Sequence, residues 1–404
     1  RIFYYIFLIN FNHLNISQLN LNMRSYLNIF IFILLVSSCS EEEEITYGVS
    51  EPEINPNTGS SDNYVKDILK EKNYDINKFF VGAALNTNQL NTYVENIFLN
   101  EFNYSTVENS AKQTIVHPEP GVWKWDRLDS YLDFIEKNKI TSRIHGPVGP
   151  QSSKWAKNDS RTGQELMENM SEYMTELAKK INLINSVKWM DVVNETITTS
   201  GQWHGEREGD DKWENPWKQI GMNEDGVPLY ICKAFELADE NAKNVKLIFN
   251  QHGGMEVAMW NKVKETVLYL IEKGYRVDGL GWQGHLRDDK KLSLNKNSLE
   301  YLSGLIDWTH QNGLEFHVTE IDYAINEDPP TTNSLYRQSH GYSNILKILI
   351  SKKDNGVVTY SSWGVTDKTN EHKFLFTEDF QPKPAILKIR ETLDSESMDL
   401  VYLD

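Results

Sequence analysis

Val187-Lys-Trp-Met-Asp-Val-Val-Asn194-Glu195 is a β-rich run that ends abruptly on an amide and a carboxylate. An amphipathic stretch over 163–181 precedes it, and another over 229–241 leads to a second β-rich run at 245–251. Strand, helix, strand in that order is the repeating unit of a parallel sheet. Working outward, the same alternation gives candidate strands at 79–85, 102–108, 140–146, 187–195, 245–251, 277–285, 315–322 and 356–364. Helical patterns fall at 128–138, 163–181, 229–241, 259–273, 299–311 and 335–352, with 383–393 after the last strand. Eight such units predict an α/β fold, a single closed (β/α)8 TIM barrel whose working face lies at the C-terminal ends of the strands. A doubly wound sheet is the alternative, but no GxGxxG or GxxxxGK loop opens any of these helices.

The chain has 404 residues, 39% of them hydrophobic, enough for one large core. Its formal charge of −17 argues against nucleic acid, since a phosphate backbone calls for a basic face. A neutral ligand fits better. The 11 Trp and 19 Tyr supply flat faces suited to sugar rings, although most large aromatics serve the core.

The first residues read as a leader. The stretch before Met23 reads as upstream sequence, and after Met23-Arg24 comes the short apolar run 29–36, then Ser37-Ser38-Cys39, the layout of a signal peptide. Residues 36–39 resemble the lipobox of bacterial lipoproteins, which implies acylation of Cys39 and a lipid anchor. Ser40 and the acidic run to Glu44 resemble the signal that sends such proteins outward, so the expected location is the outer membrane of a Gram-negative bacterium, facing the cell surface or periplasm. The expected domains are 1–39 as upstream sequence plus signal peptide, 40–61 as an acidic flexible tether, and 62–404 as the barrel. Cys232 sits in an apolar helical pattern and reads as a core thiol, unpaired with Cys39.

The strand ends carry chemistry: Glu108-Asn109, His145, Asn194-Glu195, Asn250-Gln251, Gln283 with His285, Glu320 with Asp322, and Trp363. Two carboxylates closing the fourth and seventh strands face each other across a barrel mouth, as glycoside hydrolysis requires: one protonates the leaving oxygen and the other attacks the anomeric carbon. The acid must hold its proton, whereas the nucleophile must stay ionised, with His285 and Gln283 as candidate donors to it. Asn194, beside Glu195, is placed for the sugar 2-hydroxyl or for a turn. With no HExxH pair and no Cys-x-x-Cys, neither metal nor cofactor is implied.

The strings Trp189-Met-Asp-Val-Val-Asn194-Glu195, Val277-Asp-Gly-Leu-Gly-Trp-Gln283-Gly-His285, His317-Val-Thr-Glu320-Ile-Asp322, Trp363-Gly-Val-Thr-Asp367 and Pro382-Lys-Pro384-Ala385 together resemble glycoside hydrolase family 10, the endo-β-1,4-xylanases. The resemblance spans residues 79–393. It implies a retaining endo-glycosidase acting on a xylan-type polysaccharide, with Glu195 as acid/base, Glu320 as nucleophile and Asn194 on the 2-hydroxyl. By the same resemblance, Gln283 and His285 surround the nucleophile, Glu108, Asn109, Lys112 and His145 contact the glycone, and Trp363 floors the sugar before the cleaved bond. A barrel with its own lipid tether is expected to be a monomer.

The sequence departs from that pattern in three places. Gln113 stands where the first motif ends in Trp, Val148-Gly149 replaces a Trp-His pair, and Lys368-Thr-Asn-Glu371 follows Trp363-Gly-Val-Thr-Asp367 without the usual second Trp. These changes predict a widened or altered glycone pocket. Two rival readings follow: a retaining hydrolase of another or decorated β-glycan, and a surface glycan-binding lipoprotein without catalysis. The aromatic stretch from Trp203-His204 to Trp213-Glu-Asn-Pro-Trp217 is expected either to line the aglycone side or to pack on itself.

Overall fold

The computed structural model describes residues 63–402, apart from 209–213, 291 and 396. The signal region with Cys39, the tether 40–61 and Trp213 lie outside the described residues. Residues 62–404 fall in one compact unit.

In chain order the described strands are β1 (Phe79–Leu85), β2 (Tyr104–Val107), β3 (Thr141–Val148), β4 (Val187–Asn194), β5 (Lys246–Gln251), β6 (Gly279–Trp282), β7 (His285–Arg287), β8 (Glu315–Ala324) and β9 (Val358–Ser362). The pairing order β6-β5-β4-β3-β2-β1-β9-β8 is parallel throughout, and β6 also pairs with β8, which closes an eight-stranded barrel. The expected TIM barrel is therefore the observed fold. Its helices are α1 (Val65–Glu71), α2 (Tyr93–Glu101), α3 (Gln113–Val116), α4 (Asp126–Asn138), α5 (Gly163–Asn182), α6 (Leu229–Asn241), α7 (Val257–Glu272), α8 (Lys296–Gln311), α9 (Thr332–Lys352) and α10 (Pro384–Asp394).

Local signals set the helix starts. Thr162 and Glu165 form a capping box on α5, in which Thr162 Oγ1 accepts from the Glu165 amide and Glu165 Oε2 accepts from the Thr162 amide. Pro384 starts α10, where its missing N–H costs nothing. The helices turn apolar stripes onto the sheet: Leu166, Met170, Tyr173, Met174, Leu177 and Ile181 of α5 are all fully buried. Each such aliphatic side chain contributes roughly 1.5–3 kcal/mol by leaving water. Cys232 is buried and free, as expected for a core thiol. Among the described residues no helix is long and apolar enough to cross a membrane.

One expected strand breaks. The run 277–285 is not continuous, because Gly284 adopts φ +77° and turns the chain out after β6. The residues beyond it pair with the end of β8 as β7, in the register His285 with Asp322. That break brings His285 over Glu320.

Candidate active site

Glu195 follows β4 directly with φ +52°, a left-handed conformation uncommon outside glycine. Its amide donates to the Asn250 carbonyl at 3.2 Å, which fixes the kink against β5. Strain of this kind is retained where surrounding structure over-determines it, commonly at functional sites. Glu320 lies inside β8 and is buried, its amide donating to the Gln283 carbonyl at 2.8 Å.

Three amides join the two carboxylates. Gln283 Nε2 donates to Glu195 Oε1 at 2.9 Å and to Asn194 Oδ1 at 3.2 Å. Asn250 Nδ2 donates to Asn194 Oδ1 at 3.0 Å and to Glu320 Oε1 at 2.9 Å, while Thr319 Oγ1 holds Asn250 Oδ1 at 2.9 Å. Asn194 Nδ2 donates to Glu195 Oε1 at 3.1 Å. This corrects one expectation: the Gln283 side chain serves Glu195, and the amide donor to Glu320 is Asn250.

Two imidazoles flank Glu320. His285 Nε2 lies 3.4 Å from its Oε2, and His285 Nδ1 lies 3.1 Å from Asp322 Oδ2. His145 Nδ1 is 3.8 Å from Glu320 Oε1 and 2.6 Å from Asp191 Oδ2, and Asp191 in turn pairs with Arg143 at 3.1 Å. Burial raises the Glu320 carboxyl, but His145, His285 and Arg143 outweigh burial and leave it at about 2. For His285, burial works downward, and bonding and charge from Asp322 and Glu320 raise it to about 10. Although 40% of the His285 side-chain surface is open to the mouth, both nitrogens face carboxylates, so the ring stays protonated through neutral pH. His145 Nδ1, Asp191 Oδ2 and Glu320 Oε1 fall within 4.8 Å of one another, a spacing that suits metal ligands too. Here Asp191 is already bonded to Arg143 and His145, so the cluster is a chain of side-chain bonds.

The other expected residues gather around this pair. Lys112 is buried and donates to Asn109 Oδ1 at 2.8 Å. Burial pushes its ammonium down against the opposing pull of Glu320, Glu108, Glu195 and Asp191. Trp363 presents its ring to Lys112 at 5.8 Å, and His145 meets it edge-on at 5.3 Å. Four contributors carried no role in the sequence reading: Arg143, Asp191, His204 and, as the donor to Glu320, Asn250. Arg143 and His145 stand two apart on one strand and so share a face. That spacing, with Asp191 amid apolar residues of β4, was the available signal. His204 Nδ1 donates to the Glu195 carbonyl at 2.9 Å.

The departures divide. Gln113 is buried, donating to the His117 carbonyl and Asn169 Oδ1 and accepting from the Ser153 amide, so hydrogen bonds fill the place of a ring. Val148 is also buried, and a Cβ on Gly149 would sit 2.5 Å from the Asn194 carbonyl, so this turn has no room for a larger residue. Only Lys368, Thr369 and Asn370 stand exposed, in a small hairpin closed by a Lys368–Glu371 bridge. Trp217 is buried with Nε1 on the Gly149 carbonyl at 3.1 Å, so at that end the loop after β4 packs onto the turn after β3 and the core, neither lining the aglycone side nor packing only on itself.

The sequence pattern of glycosyl hydrolase family 10 matches residues 70–392. The chain belongs to glycosyl hydrolase family 10. It is 28% identical over 337 residues to endo-1,4-beta-xylanase A of Caldicellulosiruptor saccharolyticus, covering 77% of this chain and 92% of that one. It is 27% identical to a beta-1,4-xylanase of Dictyoglomus thermophilum, covering 91% and 99% respectively. The crystal structure of xylanase 10B from Thermotoga maritima superposes with a TM-score of 0.68 at 25% identity, covering 82% of this family 10 chain and 98% of that one. This family 10 member is a glycoside hydrolase.

Proposed function

We propose that the chain cleaves internal β-linkages of a xylan-type polysaccharide by double displacement. Glu320 attacks the anomeric carbon while Glu195 protonates the departing oxygen. Glu195 then takes a proton from the water that releases the glycosyl group, and the anomeric configuration is retained. The observation that carries this reading is the hydrogen-bonded chain from Glu195 through Gln283, Asn194 and Asn250 to Glu320, with Glu320 held ionised. A retaining pair stands roughly 5–5.5 Å apart, and the retaining course is read here from membership of family 10. The named relatives support xylan as substrate class. The second Nδ2 hydrogen of Asn194 points to a role on the 2-hydroxyl, and Glu108, Asn109, Lys112, His145 and Trp363 are read as the sugar-facing wall.

The test is reducing-end release on a panel of β-glycans, with Glu195→Ala and Glu320→Ala as controls. Release from xylan that both substitutions abolish supports the proposal, and silence across the panel removes it. A second reading, a decorated or different β-glycan, is favoured by the exposed Lys368, Thr369 and Asn370, which stand in the turn where the family pattern carries a second Trp. Plain linear xylan as best substrate would count against it.

We also infer that the enzyme is a monomer tethered by lipid on Cys39 at the outer membrane. Incorporation of labelled fatty acid that Cys39→Ser abolishes is the expected result, and equal labelling of both proteins would remove the anchor.

A further inference from the structure

Two aromatic rings at the barrel mouth stand in solvent outside the network of Glu195 and Glu320. Tyr93 opens α2 and is 58% exposed, and Phe380, in the connection from β9 to α10, is 38% exposed. Their centroids lie 4.9 Å apart with planes inclined by 52°, a tilt that leaves a face of each ring open. They meet because β1 and β9 are paired neighbours and both connections leave strand C-terminal ends, the end that carries the two carboxylates.

Phe380 sits at φ +69°. For a bulky side chain this left-handed conformation is strained. A small turn imposes it: the Phe380 amide donates to the Thr377 carbonyl at 2.9 Å, the Gln381 amide donates to Thr377 Oγ1 at 2.9 Å, and Thr377 Oγ1 also bonds Asp379. Strain spent on holding a ring out in water brings little burial, and exposed apolar surface held this way points to recognition. The pair also continues the rim of the site. Thr87 Oγ1 and Ser110 Oγ share a hydrogen bond at 2.7 Å, which ties the turn after β1 to the segment of Glu108 and Asn109. Thr92, whose Oγ1 bonds the Gln89 carbonyl at 2.6 Å, carries that turn on to Tyr93.

We propose that Tyr93 and Phe380 form a stacking platform for sugar rings of a β-glycan chain, beyond the Glu108 and Asn109 side of the mouth, so that long chains are held in two places. The inference rests on the reading of the mouth as a β-glycan hydrolase. Its chemistry is the apolar C–H face of a pyranose against an open aromatic face.

The test compares the full chain on two substrates: long soluble xylan, and a chromogenic aryl β-xylobioside that reaches only two sugars from the bond. Tyr93→Ala and Phe380→Gly are each expected to lower kcat/KM on the long chain by about five- to twentyfold and to leave the aryl substrate within about twofold. Phe380→Gly has a second signature, because glycine adopts φ +69° freely. The thermal midpoint should hold or rise while long-chain activity falls, whereas a ring present for packing would take both down together. Unchanged long-chain kinetics, or equal losses on both substrates, would overturn the platform. If the unmodified chain cleaves neither substrate, the hydrolytic reading fails, and the platform is judged by retardation in gels cast with each β-glycan. Retardation lost in Phe380→Gly then keeps it, and unchanged or absent retardation removes it.

Discussion

The two ends of the barrel hold carboxylates in different company. At the end opposite Glu195, Glu101 is buried against Arg390 and accepts from the Val65 amide, and Glu315 accepts from Trp189 Nε1 at 2.6 Å beside Lys246 and His317. A cleft of about 360 Å³ opens at this end, where Lys72 Nζ lies 2.9 Å from Asp394 and Lys353 Nζ 3.0 Å from Asp354. At the mouth, Glu195 is held by amides and Glu320 by imidazoles and an amide. Lysine and arginine meet the carboxylates of the far end directly, whereas at the mouth the direct partners are amides and imidazoles and Arg143 acts on Glu320 from its place on Asp191. The chemistry of the partners separates the two ends.

The comparison breaks if substitutions at the two ends have similar consequences. Glu195→Ala is expected to lower kcat by about 10²–10⁴-fold, and Glu320→Ala by at least as much, with the chain still folded by circular dichroism. Glu101→Ala should do the reverse. It leaves Arg390 without its buried partner, which costs about 3 kcal/mol of stability, read as a lower denaturant midpoint with kcat of the folded enzyme unchanged. Loss of activity without loss of stability in Glu101→Ala would dissolve the distinction.

A smaller effect sharpens it. His285 helps hold Glu320 at about 2, so His285→Asn removes a positive charge and its hydrogen bond while burial, which raises the carboxyl, remains. The carboxyl pKa should rise, moving the acid limb of kcat/KM to higher pH. Stability follows the same linkage. The depressed carboxyl contributes stability that is present above its ordinary value of 4.5 and lost as pH falls toward about 2. The raised imidazole contributes stability that is present below 6.5 and lost as pH rises through about 10. A thermal midpoint flat across both windows, or an acid limb unmoved in His285→Asn, would show that the imidazole does not set the charge of Glu320.

Much of this was legible because strands buried on both faces leave near-continuous apolar runs, and the polar residues that end them mark the mouth. The strand at 79–85 and the helix at 229–241 keep their expected limits in the structure. The break at Gly284 was not legible, since it depends on where β8 lies and not on local pattern. Helix α2 escaped notice because its apolar residues run into those of β2, where short periods are ambiguous. In the site, Glu195, Glu320 and His285 stood out by position. Arg143 and Asp191 did not, because charges inside a barrel make sense only once each is seen to face the other.

Trp217 separates packing from sugar contact within one loop. The sequence left its loop open between sugar contact and packing, and its indole is buried and bonds the Gly149 carbonyl, directly behind Asn194. Trp217→Phe removes that hydrogen bond and one ring of a buried side chain, so it should cost about 2 kcal/mol, read as a fall in the thermal midpoint. KM and kcat on long and short substrates should stay within about twofold. A rise in KM with unchanged stability would instead place Trp217 in contact with the glycan and move the boundary between core and cleft outward to this loop.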